Sequence, residues 1–240
     1  MTEIRTAIPE EVDAYLDALV RKGIFANKAE LVRAALVSYV NATGTFFRGF
    51  DAENIFAPDG RLYQIEYARE AAARGGTAVG LVCQDGVLLA AETVPASRLS
   101  APGTRKIRAA GDGLAYAYAG LVGDAALVGG ELKSAAPKTT EEAVRVAQAR
   151  LHRQTLERIQ RPLGVALLLA SVLERRPRLF YLDPSGAAVE SLATAMGRGA
   201  PTALQALETK YRKVRLADAE RWMPELLGRD TPVEMFRLEA

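Results

Sequence analysis

Apolar and polar positions along the chain change rhythm at about residue 45. Residues 3–8 (EIRTAI) alternate, with Ile4, Thr6 and Ile8 on one face and Glu3, Arg5 and Ala7 on the other, which predicts a short, half-buried strand. Pro9 suits the first position of a helix, where its missing N–H costs nothing, and Glu10, Glu11 and Asp13 favour the positive end of the helix dipole. Val12, Tyr15, Leu16, Leu19 and Val20 then recur at helical spacing until Gly23. Asn27 is placed to cap a second helix, with Glu30 three residues on as its capping-box partner. Leu31, Val32, Ala35, Leu36, Tyr39 and Val40 form the apolar stripe of that helix, and Thr43-Gly44 ends it.

A strand and two helices in some forty residues bury too little apolar surface to stand alone, and a lone strand leaves both edges unpaired. Pairing two copies into an antiparallel ribbon is the expected remedy. The segment resembles the ribbon-helix-helix family of small DNA-binding repressors and antitoxins, through Ile8-Pro9-Glu10-Glu11, Gly23 and Asn27-Lys28-Ala29-Glu30-Leu31. The resemblance implies a β-α-α dimerisation module over residues 1–45. It would turn Glu3, Arg5 and Ala7 toward a DNA groove and place Asn27 and Lys28 beside a phosphate. The charge argues otherwise. Residues 1–47 hold five bases (Arg5, Arg21, Lys22, Lys28, Arg33) against six acids, a poor electrostatic footprint for DNA. The expectation is therefore a pairing or docking module, with a DNA-binding regulator as the alternative.

Beyond Gly49, Pro58-Asp59-Gly60 reads as a tight turn and residues 67–74 (YAREAAAR) as a helix ended by Gly75-Gly76. Strand-like runs follow at 77–84, 86–93 and 114–121, the first two joined by an Asp85-Gly86 hairpin signal. Two helical stretches, 123–135 and 140–160, precede strands at 165–173 and 178–184, one short strand at 188–196, and helices at 200–211 and 217–227. Strands, helices, strands, helices suit an α+β fold with sheets between helix layers. The net charge of +2 names no polyanionic partner, and the single cysteine, Cys83, excludes an internal disulfide. Cys83 is expected on a strand face or in the core. His152, the one histidine, lies in an Arg-rich helical stretch without an evident partner and reads as a surface residue. No apolar run reaches the roughly 18 residues that span a bilayer. The first residues carry acids where a signal peptide needs bases, so a cytoplasmic location is expected. No cofactor or metal is expected.

Residues 58–70 (PDGRLYQIEYARE) resemble the signature of proteasome α-type subunits of the archaeal kind. GGTAVGLVCQDGVLLAAE, SRLSAPGTRKI, AYAGLVGDAALV, RPLGVALLLAS, RLFYLDPSGAAVE and ATAMGRGAP continue the likeness in family order. It covers about residues 50–240, within one domain expected over 46–240, and implies the four-layer αββα sandwich of the N-terminal-nucleophile hydrolases. In catalytic β-type relatives the nucleophile is an N-terminal threonine whose own amine is the base. Aligned on Gly80, that threonine's place falls to Gly76, with Glu92 near the carboxylate position and Lys106 near the lysine position. Thr77 is displaced by one residue and has an amide in place of an amine. Cleavage after Gly76 would free an amine but remove the α-type helix, so no catalysis is expected.

The resemblance further implies a ring of such subunits stacked on β-type subunits, controlling substrate entry. Pockets between neighbouring α-type chains receive the C-terminal tails of activating AAA ATPases, with Lys106 on the tail carboxylate and Glu66, Gly120 and Leu121 around it. Asp51, Pro58 and Tyr67 match the cluster that orders the gate, Asp51 with the spacing to Phe56 one residue short. Two departures stand out. A dimerising module replaces the flexible gate, and residues 231–240 read as the penultimate strand, the usual final strand and helix being absent. A paired module also conflicts with a seven-membered ring, which leaves one copy over.

Overall fold

The computed structural model describes residues 7–23, 25–42, 50, 52–93, 105–228 and 231–240. The chain divides into two compact units, Met1–Asp51 and Ala52–Ala240. Among the described residues no helix is long and apolar enough to cross a membrane.

The first unit holds α1 (Glu10–Arg21) and α2 (Lys28–Ala42). Three acids occupy the first turn of α1, the Asp13 N–H donates to Pro9 O at 3.0 Å, and Gly23 takes the left-handed conformation (φ +72°) after the helix ends. At the start of α2, Asn27 Oδ1 accepts the Glu30 N–H at 2.8 Å, and Glu30 Oε2 reaches back to the Ala26 N–H at 2.8 Å. This is the reciprocal cap the spacing predicted, with the return bond one residue ahead of the cap. Leu16 and Leu31 are buried between the helices, while Val12, Tyr15, Leu36, Val37 and Tyr39 remain exposed. The expected strand over 3–8 falls largely outside the described residues, as do Glu3, Arg5, Thr43 and Gly44. Ala7 and Ile8, its described part, belong to no strand.

The larger unit begins with α3 (Tyr63–Ala73), β1 (Ala78–Val82), β2 (Gly86–Glu92), β3 (Ile107–Gly111) and β4 (Leu114–Gly120). Then come α4 (Val122–Ala135), α5 (Thr140–Leu156), β5 (Val165–Ser171), β6 (Arg178–Leu182), β7 (Ala188–Glu190) and β8 (Ala193–Met196). It closes with α6 (Ala200–Lys210), α7 (Leu216–Glu220), α8 (Met223–Leu227) and β9 (Val233–Glu239). The strands form two antiparallel sheets, ordered β8-β1-β2-β9 and β3-β4-β5-β6-β7.

Alternation along the strands builds three cores. Leu114, Tyr116, Tyr118, Leu167 and Leu169 face α4 and α5. The intervening Ala115, Ala117, Ala119, Ala166 and Ala170 meet Ala78, Ala91 and Leu89 of the other sheet, so small side chains line the inter-sheet face. Val79, Leu81, Leu88 and Ala90 face α6, α7 and α8. The result is helix, sheet, sheet, helix, and strands covered on both sides read as nearly unbroken apolar runs.

The structure departs from the pattern reading in four places. Helix α3 starts at Tyr63, four residues before the predicted start, because its first turn is held by Leu62 O accepting the Ile65 and Glu66 N–H groups. Strand β3 (IRAAG) escaped the pattern because it is short and carries Arg108. The single strand expected at 188–196 is two strands in different sheets, β7 pairing β6 and β8 pairing β1. The last predicted helix is broken into α7 and α8, where Pro224 lacks the N–H that would continue the ladder.

Candidate functional site at the C-terminal end of α3

Helix α3 ends at Gly75-Gly76, pressed against the end of β4. A Cβ on Gly75 would lie 2.2 Å from Gly120 N, and one on Gly120, itself at φ +111°, would lie 2.2 Å from Gly164 O. Both positions require glycine because two backbones meet there. The turn out of β4 is pinned by the Leu121 N–H donating to Gly164 O at 3.0 Å. Below it, buried Asp124 accepts both Arg161 guanidinium nitrogens (2.7 and 3.0 Å) and the Gly164 N–H (2.8 Å). Burial works against that carboxylate, but the Arg161 and Gly164 bonds outweigh it and hold its pKa below the usual range.

A network of charged groups closes around Gly76. Lys106 Nζ donates to Gly76 O at 2.8 Å. A Cβ on Gly76 would stand 2.5 Å from that Nζ and 3.4 Å from Glu92 Oε2. The Thr77 N–H donates to Glu92 Oε2 at 2.9 Å, Arg198 approaches the same oxygen at 3.3 Å, and buried Thr77 Oγ1 accepts the Gly199 N–H at 3.1 Å. Burial pushes the Lys106 ammonium below its ordinary pKa, with Glu92 opposing. Burial likewise disfavours the Glu92 charge, but the Thr77 and Arg198 bonds keep its pKa lowered. A carboxylate and an amine thus approach Gly76, which has no side chain to act as a nucleophile. The neighbouring Thr77 has its nitrogen in an amide and its hydroxyl engaged by a backbone donor.

Of the four residues expected around an activator tail, the structure gathers Lys106, Gly120 and Leu121 at this end of α3. Lys106 is half-buried, its side chain held inward by Gly76 O, and Leu121 is exposed. Glu66 lies ten residues before Gly76, about 15 Å along a helical path. There Arg61 forks onto it, Nε at 2.8 Å, and lowers its carboxyl pKa. Pro58 is exposed in the Ala57–Gly60 turn, closed by the Gly60 N–H donating to Ala57 O at 2.8 Å. Tyr67 is exposed and stacks on Tyr63 with ring centroids 6.4 Å apart. Asp51 lies outside the described residues. In the first unit, Asn27 caps α2, and Lys28 Nζ is held by Asp13 (2.7 Å) and Asp17 (2.9 Å).

Sequence reasoning missed Arg198 and Gly199, which complete the Glu92–Thr77 network from the turn after β8. Their signal was the Gly-Arg-Gly in ATAMGRGAP, read there only as family order. His152 does have partners, Ser185 O at 3.1 Å and the Thr155 hydroxyl at 3.3 Å from Nδ1. Cys83 is buried, and burial pushes its thiol up to about 11. Among the described residues no three His, Cys, Asp or Glu side chains are grouped to hold a metal ion.

The family described as "Proteasome subunit" matches residues 72–227, and the N-terminal signature of A-type proteasome subunits matches residues 53–71, the turn and most of α3. The chain belongs to the proteasome subunit family. The proteasome alpha subunit of Methanococcus vannielii is 41% identical over 178 residues, covering 68% of this chain and 67% of its own. Those of Methanosarcina thermophila (42% over 176 residues, 69% and 71% covered) and Methanosarcina mazei (40% over 189 residues, 71% and 73%) are similar.

Proposed function

We propose that this chain is a non-catalytic α-type subunit that forms a ring on proteasome β-type subunits and controls entry to them. The observation that carries the reading is Gly76. In this reading Glu92 and Lys106 correspond to the carboxylate and amine of a hydrolytic site, and the Lys106 bond to the Gly76 carbonyl, at a residue without a side chain, supports the absence of a nucleophile there. Retention of α3, matched by the α-type signature, supports the same reading. The tail pocket would be completed between copies, with Lys106, Gly120 and Leu121 from one copy and Glu66 from its neighbour. A tail carboxylate arriving there competes with Gly76 O for Lys106.

Residues 1–45 act in this reading as a pairing or docking module. Its two helices bury only Leu16 and Leu31 among the described residues and leave an apolar set, Val12, Tyr15, Leu36 and Val37, for a partner. The DNA-binding alternative is weaker, because Lys28 is already engaged by two carboxylates. The test combines intact mass with peptide hydrolysis. The chain should keep residues 1–76 attached and hydrolyse nothing alone, while activity appears once a β-type subunit is added and vanishes when the nucleophile of that partner is removed. Release of a fragment ending at Gly76, with hydrolysis by the chain alone, overturns it.

A further inference from the structure

A cleft of about 430 Å³ opens between α3, the start of β5, the end of β6 and the turn from β8 into α6. Arg69, Ala72 and Ala73 enter it from one face of α3, at helical spacing. Ala166, Ala195 and Met196 are buried and give it an apolar floor, and Leu204 of α6 stands at its wall. Its charged lining is two arginines, Arg69 and Arg198. No Asp or Glu side chain lines it among the described residues.

Neither guanidinium is fully used. Arg69 gives Nε (2.8 Å) and one Nη (2.7 Å) to Asp183 Oδ2, which leaves its other Nη without a partner among the described residues. Arg198 has only the 3.3 Å approach to Glu92, long for a charge-assisted pair. Its backbone, by contrast, is fixed. The Arg198 N–H donates to Gly75 O at 2.9 Å, and the Gly199 N–H to Thr77 Oγ1 at 3.1 Å. Gly197 before it sits at φ +86°, where a Cβ would stand 2.5 Å from Gly76 O. The side chain thus springs from a rigid turn while most of its own donors are free. The Tyr181 hydroxyl, also on the cleft wall, makes no hydrogen bond among the described residues. Donors without acceptors, held over an apolar floor, call for an anion with an apolar body.

We infer that this cleft binds a small carboxylic acid with an apolar body, its carboxylate held by Arg198 and Arg69 and its body laid over Ala166, Ala195 and Met196. Guanidinium forks match the two oxygens of a carboxylate, and small-molecule pockets are mostly apolar with a few polar groups that fix orientation. The positive end of α6, which begins at Ala200, adds to the attraction. Inorganic phosphate would meet the arginines but leave the floor bare. Glu92 competes with the ligand for Arg198, so occupancy loosens one corner of the network around Gly76. The site needs neither a ring nor a β-type subunit.

The test is calorimetric titration of the full-length chain with octanoate, with octanol as the tail alone and acetate as the head alone. Octanoate should saturate one site per chain, and each control should bind about tenfold more weakly or worse. Arg198→Gln and Arg69→Gln should each weaken octanoate by about tenfold or more. Glu92→Gln keeps an acceptor for the Thr77 N–H but removes the competing charge, so it should tighten octanoate severalfold. Leu204→Glu, at a partly exposed position, puts an acid on the cleft wall and should abolish binding without loss of helicity by circular dichroism. If Arg69→Gln unfolds through the loss of its Asp183 pair, Arg198→Gln and Leu204→Glu still decide. Octanol binding as tightly as octanoate, octanoate binding that ignores Arg198→Gln and Leu204→Glu, or no saturable heat at all overturns the inference.

Discussion

Gly76 and Gly120 are both glycines that a side chain would disturb, but for different reasons. A Cβ on Gly76 meets the far end of a flexible lysine, whereas on Gly120 it meets the backbone oxygen of Gly164 at positive φ. Gly76→Ala should therefore cost about 1 kcal/mol, one displaced hydrogen bond. Gly120→Ala should cost about 3 kcal/mol or more from strain and collision. Thermal melts of the two variants check the order, and equal losses contradict it. Asp124 gives a pH prediction. Its carboxyl pKa is lowered in the folded chain, so its stabilisation is present above the ordinary carboxylate range and lost as pH falls through the lowered value. Asp124→Ala should cost about 2 kcal/mol at neutral pH, allowing for the exposed Arg161. The difference from the parent should shrink in melts below about pH 4. At this scale the sequence singled out Lys106, Glu92 and Gly76 through the motifs around them. It did not reveal that Lys106 bonds Gly76 O, because thirty residues separate them and only the fold brings them together.

Local rules read the helices well where the chain itself satisfies its ends. Asn27 and Glu30 cap α2 as their spacing foretold, so Asn27→Ala should cost about 1 kcal/mol in that unit, seen as lost helicity by circular dichroism. The same rules failed where distant contacts decide. The stretch 188–196 looks like one strand, but Ser191 and Leu192 carry the chain across: Ser191 N–H bonds Leu179 O, and Leu192 O accepts from Val82 N–H in the other sheet. Strand β3 needed its partner β4, joined through the Asp112-Gly113 turn, to exist at all. Pro224 did mark a break, one the apolar periodicity of 217–227 concealed.

For the whole chain, the double-sided apolar strands made a layered α+β fold legible, and the motif order made the family legible. The assembly was not, because exposed apolar residues such as Phe56, Leu156 and Ile159 look like ordinary apolar positions until their exposure is known. The exposed apolar set on α1 and α2 poses a further constraint. A module that pairs copies favours an even number of chains, or pairing between rings, over a single ring of seven. The most direct measurement is native mass spectrometry of the purified chain, alone and mixed with a β-type subunit from the same source. This account predicts a ring of defined copy number that takes up β-type subunits in equal number. A monomer or plain dimer that ignores them contradicts it and favours the DNA-binding regulator.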